Sequence, residues 1–351
     1  MIVSRRRLAA LGLATVLTTA LAGCGSDAAE SPSGASPSAS APQTVVLYSG
    51  RSEELVGPLI EKFESASGVT VETRYGSTTE MAAQLLEEGD QTPAQVFLSQ
   101  DAGALGAVAG AGLFTTLPAA VTGAVLPAYT SRDGSWVGLT GRARVIVYDG
   151  QQLTADQVPA EVTELTDPEW KGRVGIAPTN ASFQAFVTAL RVTEGEAAAE
   201  KWLTDLVAND VKIFEGNGPI LEAVNAGTLD TGLINHYYWF ETASEVGADK
   251  MRAQIAYGEP GSASALVNVT GAGVIKGNEQ NAAANQLVAW LAGPEAQAYF
   301  VEQTHEYSLV PGAAGPAGAP AFGDLRGPDL DLADLASLDQ TVALLQRVQL
   351  V

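Results

Sequence analysis

What most constrains this chain is an alternation of two kinds of segment. Short β-branched and aromatic runs recur along it: VVLYS (45–49), VTVETRY (69–75), QVFLS (95–99), RVIVYD (144–149), RVGIA (173–177) and VKIFE (211–215). Between and beyond them lie SEELVGPLIEKFESAS, TTEMAAQLLEEG, SFQAFVTALRV, EAAAEKWLTDLVAN, NQLVAWLAG and PEAQAYFVEQT, whose apolar residues fall at helical spacing. The succession predicts an α/β architecture with mainly parallel sheets, and such sheets hold ligands in crevices at the carboxyl ends of their strands. The terminal GPDLDLADLASLDQTVALLQRV predicts a closing helix behind an acidic linker. Its aspartates lack the spacing of a calcium hand and read as turn formers and helix N-terminal charges. At 351 residues the chain can bury one large core or two medium ones, and two lobes fit its length.

The start is of another kind. MIVSRRRLAALGLATVLTTALAGCG carries three arginines, an apolar stretch and small residues around Cys24, as a secretory signal does. Leu21-Ala22-Gly23-Cys24 resembles a bacterial lipobox, which implies a signal peptide over 1–23, lipidation at Cys24 and membrane anchoring on the extracytoplasmic face. SRRR also resembles a twin-arginine signal, so the export route stays open. Residues 24–43 are rich in Ser, Pro, Ala and Gly and predict a tether without a core. Cys24 is the single cysteine, so a mature chain lipidated there has no disulfide and no thiolate metal site.

Composition removes several function classes. Nineteen basic against forty acidic residues, a formal charge of −21, disfavour nucleic acid or an anionic membrane as partner. There are two histidines, His236 and His305, with no HExxH, CxxC, GxSxG or GxxxxGK[ST]. An extracellular enzyme built on scattered carboxylates remains a rival, but nothing singles out a pair.

Two helix starts look suited to an anion. In GIAPTNASFQAF a strand runs into Thr179-Asn180-Ala181-Ser182, with Asn180 as N-cap and open first-turn amides. In FEGNGPILEAV, Asn217-Gly218-Pro219 repeats the arrangement, Pro219 suiting a first helical turn. An ordinary cap is the alternative at each. INHYYWF then sets Tyr237 and Tyr238 side by side where a strand TGLIN meets a helix WFETASEV. At such a junction both rings can turn into one crevice. Phenolate oxygens are hard donors that a trivalent cation such as Fe3+ can deprotonate, although free phenols ionise near pH 10. Aromatic core packing is the alternative.

These stretches together resemble the bacterial ferric-iron-binding periplasmic proteins, the substrate-binding components of iron ABC transporters. VVLYSGRSEELV, YGSTTEMAAQLLEEGDQTPAQVFLSQDAGAL, WVGLTGRARVIVYD, WKGRVGIAPTNASFQ, GNGPILEAVNAGTLDTGLINHYYW and SALVNVTGAGVIKG follow the family's order over nearly the whole folded body. The resemblance implies a two-lobed clamshell with mixed sheets flanked by helices and a two-strand hinge. It implies Tyr237 and Tyr238 as iron ligands, Asn180, Ala181 and Ser182 as the anion-holding helix start with Thr179 beside them, and Asn217 and Asn235 as further anion contacts. Arg142 and Arg144 match basic residues near the cleft, with hinge hydrogen bonding as the other reading. The bound species would be Fe3+ with a synergistic anion (carbonate, phosphate or citrate), and the partners an ABC permease and its ATPase, the protein itself a monomer.

The departures bear on the metal shell. Ser52 and Gln100 stand where many relatives have a histidine and a glutamate, and Ala181 or a neighbour where others have a third tyrosine. Water, a chelating anion, or a nearby carboxylate such as Glu53 or Asp101 could complete the shell. His236, as an alternating neighbour of the pair, is expected to face away. The expected lobes are 44–142 with a return over 268–315, and 143–267, with a helical segment at 316–351 packing on the second lobe. A binding protein of the same fold for a phosphonate, another oxyanion or an iron chelate without tyrosine ligation is the alternative.

Overall fold

A computed structural model describes residues 43–351. The signal segment, Cys24 and nearly all of the expected tether lie outside the described residues. Among the described residues ten strands are formed: β1 (Thr44–Ser49), β2 (Thr70–Tyr75), β3 (Val96–Ser99), β4 (Val137–Asp149), β5 (Val174–Ile176), β6 (Lys212–Ile213), β7 (Thr231–Asn235), β8 (Ala253–Tyr257), β9 (Val267–Val274) and β10 (Tyr307–Ser308). The helices are α1 (Glu53–Ser67), α2 (Thr78–Glu88), α3 (Ala102–Gly110), α4 (Ala119–Thr122), α5 (Ala181–Glu194), α6 (Glu196–Ala208), α7 (Asn217–Asn225), α8 (His236–Val246), α9 (Ala282–Leu291), α10 (Pro294–Gln303) and α11 (Leu338–Arg347).

The strands follow the order β2-β1-β3-β9-β4-β7-β5-β6, with β8 and β10 also pairing with β4. β4 is the pivot. Its first half, Val137–Ala143, pairs with β9, and its second half, Arg144–Asp149, with β7 and β8. Every one of its 13 residues is buried, because sheet and helices cover it on both sides. The chain crosses back between the halves through residues 258–266, which connect β8 to β9. The expectation of mainly parallel sheets is corrected here. β1 is parallel to β2 and β3, and β5 to β6 and β7, but every pairing of β4, and that of β3 with β9, is antiparallel. The alternation of strand and helix failed as a guide because β9 and β10 return from a distant part of the chain into the middle of the first half.

Local signals account for the helix starts. Ser77 and Glu80 form a reciprocal capping box at α2, and Asp101 caps α3 by accepting from the Ala104 amide at 3.0 Å. One apolar core runs from Leu47, Phe63 and Phe97 through Leu335 and Leu344 to Phe186 and Trp202, and a second lies between β7, α7 and β8 around Ile220, Val224 and Ile234. The C-terminal segment helps to join them. α11 packs on α5, where Arg191 donates to Thr341 at 2.9 Å and Gln340 at 2.7 Å, while the 3-10 turn Leu332–Ala336 lies across α3. That crossing is close: a Cβ on Gly103 would meet the Leu335 carbonyl oxygen at 2.7 Å, and one on Gly106 the Ala333 oxygen at 2.9 Å. Among the described residues, no helix is long and apolar enough to cross a membrane.

Candidate metal and anion site

The loops that matter leave the carboxyl ends of strands on both sides of β4. Arg51 and Ser52 follow β1, Gln100 and Asp101 follow β3, Asn180–Ser182 follow β5, Asn217 follows β6, and the tyrosine pair follows β7. Tyr237 and Tyr238 lie inside the first turn of α8 rather than ahead of it, since the helix begins at His236. Consecutive helical residues normally diverge by about 100°. Here the two rings stack instead, centroids 4.4 Å apart and planes 28° from parallel. Tyr237 is buried and Tyr238 half-buried.

Arg144 organises a polar network beside them. β4 sets Arg144 directly opposite Asn235, two residues ahead of Tyr237. Its Nη1 donates to Ser182 Oγ at 3.2 Å, Asn217 Oδ1 at 3.2 Å and Asn235 Oδ1 at 3.3 Å, and its Nη2 to the Leu233 carbonyl at 2.9 Å. The guanidinium also lies 5.9 Å from the ring centres of both Phe183 and Phe186. Asn180 caps α5 as expected, its Oδ1 accepting from the Ser182 amide at 3.0 Å and the Ser182 hydroxyl at 2.6 Å. Asn217 does not cap α7; Gly216 holds that position, and the Asn217 amide group donates to Ser182 Oγ at 3.0 Å. The starts of α5, α7 and α8 thus meet around one arginine. Helix N-termini and a guanidinium together favour an anion. Thr179 is exposed and makes no part of this network, and Ala181 contributes only its place in the first turn.

Sequence reasoning missed two residues that anchor the opposite side. Arg51 is fully buried and donates from Nη1 to Glu306 Oε1 at 2.8 Å and Thr270 Oγ1 at 3.1 Å. Glu306, equally buried, accepts from Thr140 at 2.8 Å and lies 3.9 Å from Arg142 Nε. The two are 255 residues apart in the chain, and no local motif links them; the one signal was an arginine in an otherwise acidic loop, RSEE. Arg142 and Arg144 are two apart on β4 and so share a face. Among the described residues, Arg51 Nε and Nη2, Arg142 Nε, Arg144 Nε and Asn268 Nδ2 are buried without a hydrogen-bond partner.

These charges act on each other and on the phenols. Burial pushes the Arg144 guanidinium down to about 9, against the opposing pull of Tyr238 and Tyr237. Burial opposes the charge on Arg51, but Glu306, Tyr237 and Tyr238 together outweigh it, and the pKa is raised. Burial holds the proton on Tyr237 well above the usual phenol range, Tyr238 adds to this, and Arg142 and Arg51 counteract it. The arginines and the phenols therefore lie within electrostatic reach of one another.

The other expected residues divide. Ser52 and Glu53 are exposed at the start of α1, and Gln100 is half-buried, its backbone N–H donating to Thr78 Oγ1 at 3.0 Å. The Asp101 carboxylate is turned to the α3 amides, and burial raises its pKa despite them. His236 is fully buried, its ring stacked on Tyr307 at 4.8 Å, with Nδ1 accepting from the Ala143 amide at 3.2 Å and burial pushing its pKa down to about 4. It serves the junction of the two sheet halves. Among the described residues, no group of three or more His, Cys, Asp and Glu converges as a metal site, so the metal-type donors that do come together are phenols.

The profile of the bacterial extracellular solute-binding proteins matches residues 91–321. The chain belongs to that family. Among solute-binding relatives, the Fe(3+)-binding periplasmic protein of Serratia marcescens is 34% identical over 300 residues, covering 85% of this chain and 88% of the relative. The crystal structure of iron-bound HitA from Pseudomonas aeruginosa superposes with a TM-score of 0.82 at 32% identity, covering 88% of this chain and 99% of that one. Trichodesmium IdiA (FutA) in complex with iron and citrate ligands gives 0.72 at 25% identity over 87% and 99%. Two-lobed periplasmic ferric-binding proteins are thus the neighbours of this mixed α/β fold, and the resemblance read from INHYYW and LTGRARVIVYD extends over 88% of the chain.

Proposed function

We propose that this solute-binding protein captures Fe3+ between the phenolates of Tyr237 and Tyr238 and a co-bound anion, and delivers it to a membrane ABC permease driven by its ATPase. It is a carrier and not an enzyme. The observation that carries this reading is the stacked tyrosine pair beside the Arg144 network, with Asn180, Ser182, Asn217 and Asn235 gathered around the guanidinium. The iron-binding names of relatives at 34% and 32% identity support it. Carbonate, phosphate or citrate fills the anion place, and water, or the second oxygen of a chelating anion, completes the metal shell that Ser52 and Gln100 leave short. Residues 44–142 with 268–315 close against 143–267, since only contacts to both sides favour the closed state. Cys24 carries the lipid that keeps the carrier at the extracytoplasmic face.

The test is direct. Fe3+ added to the apoprotein with each anion in turn should give a visible tyrosinate-to-iron charge-transfer band at one iron per chain. Silence with every anion would leave a same-fold carrier of an oxyanion or of an intact chelate, in which the tyrosines only stack.

A further inference from the structure

The first turn of α8 carries the tyrosine pair, yet it is not held as the starts of α2, α3 and α5 are. Its N-cap, Asn235, makes no side-chain bond to the turn and offers Oδ1 to Arg144 Nη1 at 3.3 Å instead. The next side chain does the holding. β10 reaches its last pairing with β4 at Tyr307, opposite Gly141, and β7 begins at Asn235, opposite Arg144. The Ala143 N–H falls in the gap between these pairings, and His236 Nδ1 accepts from it at 3.2 Å. A buried backbone donor needs an acceptor, so the imidazole stands where a strand carbonyl would. Because Nδ1 accepts, the proton of the neutral ring lies on Nε2, and Nδ1 is not free for a metal.

The ring is fixed from three sides. It stacks on Tyr307 at 4.8 Å with planes 24° apart, and meets Tyr237 and Phe240 edge-on at 6.1 Å and 6.0 Å. Tyr307 is itself held: it is fully buried, its hydroxyl lies 3.1 Å from that of Tyr257, and a Cβ on Gly315 would meet its ring at 2.7 Å. β4, β10 and α8 thus converge on one imidazole. Consecutive helical residues point about 100° apart, so the stacking of Tyr237 on Tyr238 depends on the exact seat of this turn. A shift of the turn moves both phenols.

Resting on the reading of the pair as iron ligands, we propose that His236 is a positioning residue for iron capture. By tying the first turn of α8 to the midpoint of β4, it holds Tyr237 and Tyr238 in the arrangement that receives the metal. It acts through the pair and does not touch the iron.

Two substitutions separate the acceptor from the ring. His236→Asn places a side-chain oxygen where Nδ1 lies and removes the ring; His236→Phe keeps the stack on Tyr307 and removes the acceptor. Each full-length protein is loaded with Fe3+ and carbonate, loss of the charge-transfer band to a competing chelator is followed, and urea unfolding of the iron-free protein is measured in parallel. Iron loss from His236→Phe should be about tenfold to a hundredfold faster than from wild type, the range usual for groups that orient metal ligands, and its band maximum should be displaced. His236→Asn should recover most of that loss and return the band to its wild-type position. A purely structural histidine would lower the unfolding midpoint in both variants and leave the band and iron retention of the folded protein as in wild type. Should His236→Phe not fold, Tyr307→Leu serves in its place: it keeps Nδ1 but removes the surface that fixes the imidazole plane, and the same acceleration is expected. The proposal is overturned if the folded variant keeps the wild-type band and retention, or if His236→Asn does no better than His236→Phe. A wild-type band that these substitutions leave unchanged defeats this proposal alone. No wild-type band with any anion defeats the iron reading and this proposal with it.

Discussion

Glu306→Gln isolates the electrostatic frame of the site. Glu306 is completely buried, accepts from Arg51 at 2.8 Å and Thr140 at 2.8 Å, and has Arg142 Nε at 3.9 Å. Neutralising it leaves the Arg51 guanidinium in the interior without a counter-charge, and breaking a buried pair from one side costs about 3–5 kcal/mol. Burial raises the Glu306 pKa, but the nearby charges of Arg51 and Arg142 and its hydrogen bonds bring it below the ordinary value of 4.5. A depressed carboxylate contributes stability that is fully present above its unfolded pKa and is lost as pH falls through the folded one. Glutamine mimics the protonated acid, so the gap between wild type and variant should be full at pH 7 and narrow below about pH 4.5. Urea unfolding followed by tryptophan fluorescence measures it at each pH. The double variant Arg51→Met/Glu306→Met removes both charges and should be less damaged than the sum of its single changes by about 2 kcal/mol or more. A Glu306→Gln penalty below about 1 kcal/mol at pH 7, or strict additivity in the cycle, would refute the reasoning.

Other consequences are separable. Because burial holds the Tyr237 proton, iron ligation by that phenolate must displace it, so a pH-stat should record proton release on iron uptake and apparent affinity should fall about tenfold or more per unit of acidification. Asn180→Ala removes the α5 cap and should cost about 1 kcal/mol of stability along with weaker anion-dependent iron retention, whereas Thr179→Ala, at an exposed neighbour outside the network, should leave both unchanged in the same titrations. Gly103→Ala should destabilise by about 1–3 kcal/mol in thermal unfolding, because its Cβ would press on the Leu335 carbonyl at 2.7 Å where the C-terminal turn crosses α3.

How much was legible in the sequence differed between the two sides of the site. Asn180 as a cap, and Tyr237 with Tyr238 at the end of a strand, depend on residues within a few positions of one another, and local pattern carries such information. Arg51 and Glu306 depend on β10 returning beside β4, a contact over 255 residues that no periodicity announces. β9 was hidden for another reason. VNVTGAGV carries glycines where neighbours press in: a Cβ at Gly271 would meet the Val137 oxygen at 2.7 Å, and one at Gly273 the Phe114 ring at 2.7 Å, so its strand character comes from fit rather than from side-chain propensity. Only the second half of β4 was read as a strand, since the polar Thr140 and Arg142 interrupt the apolar pattern of the first half; both lie against the buried Glu306.

Iron capture in this reading depends on the two phenols, and a titration of the variant Tyr237→Phe/Tyr238→Phe with ferric citrate tests them most directly. Removing both hydroxyls while keeping both rings should preserve the fold, abolish the visible band and reduce iron retention by about a thousandfold or more against a competing chelator. Iron retention equal to that of the wild-type chain would contradict the account and leave the pair as aromatic packing at the start of α8.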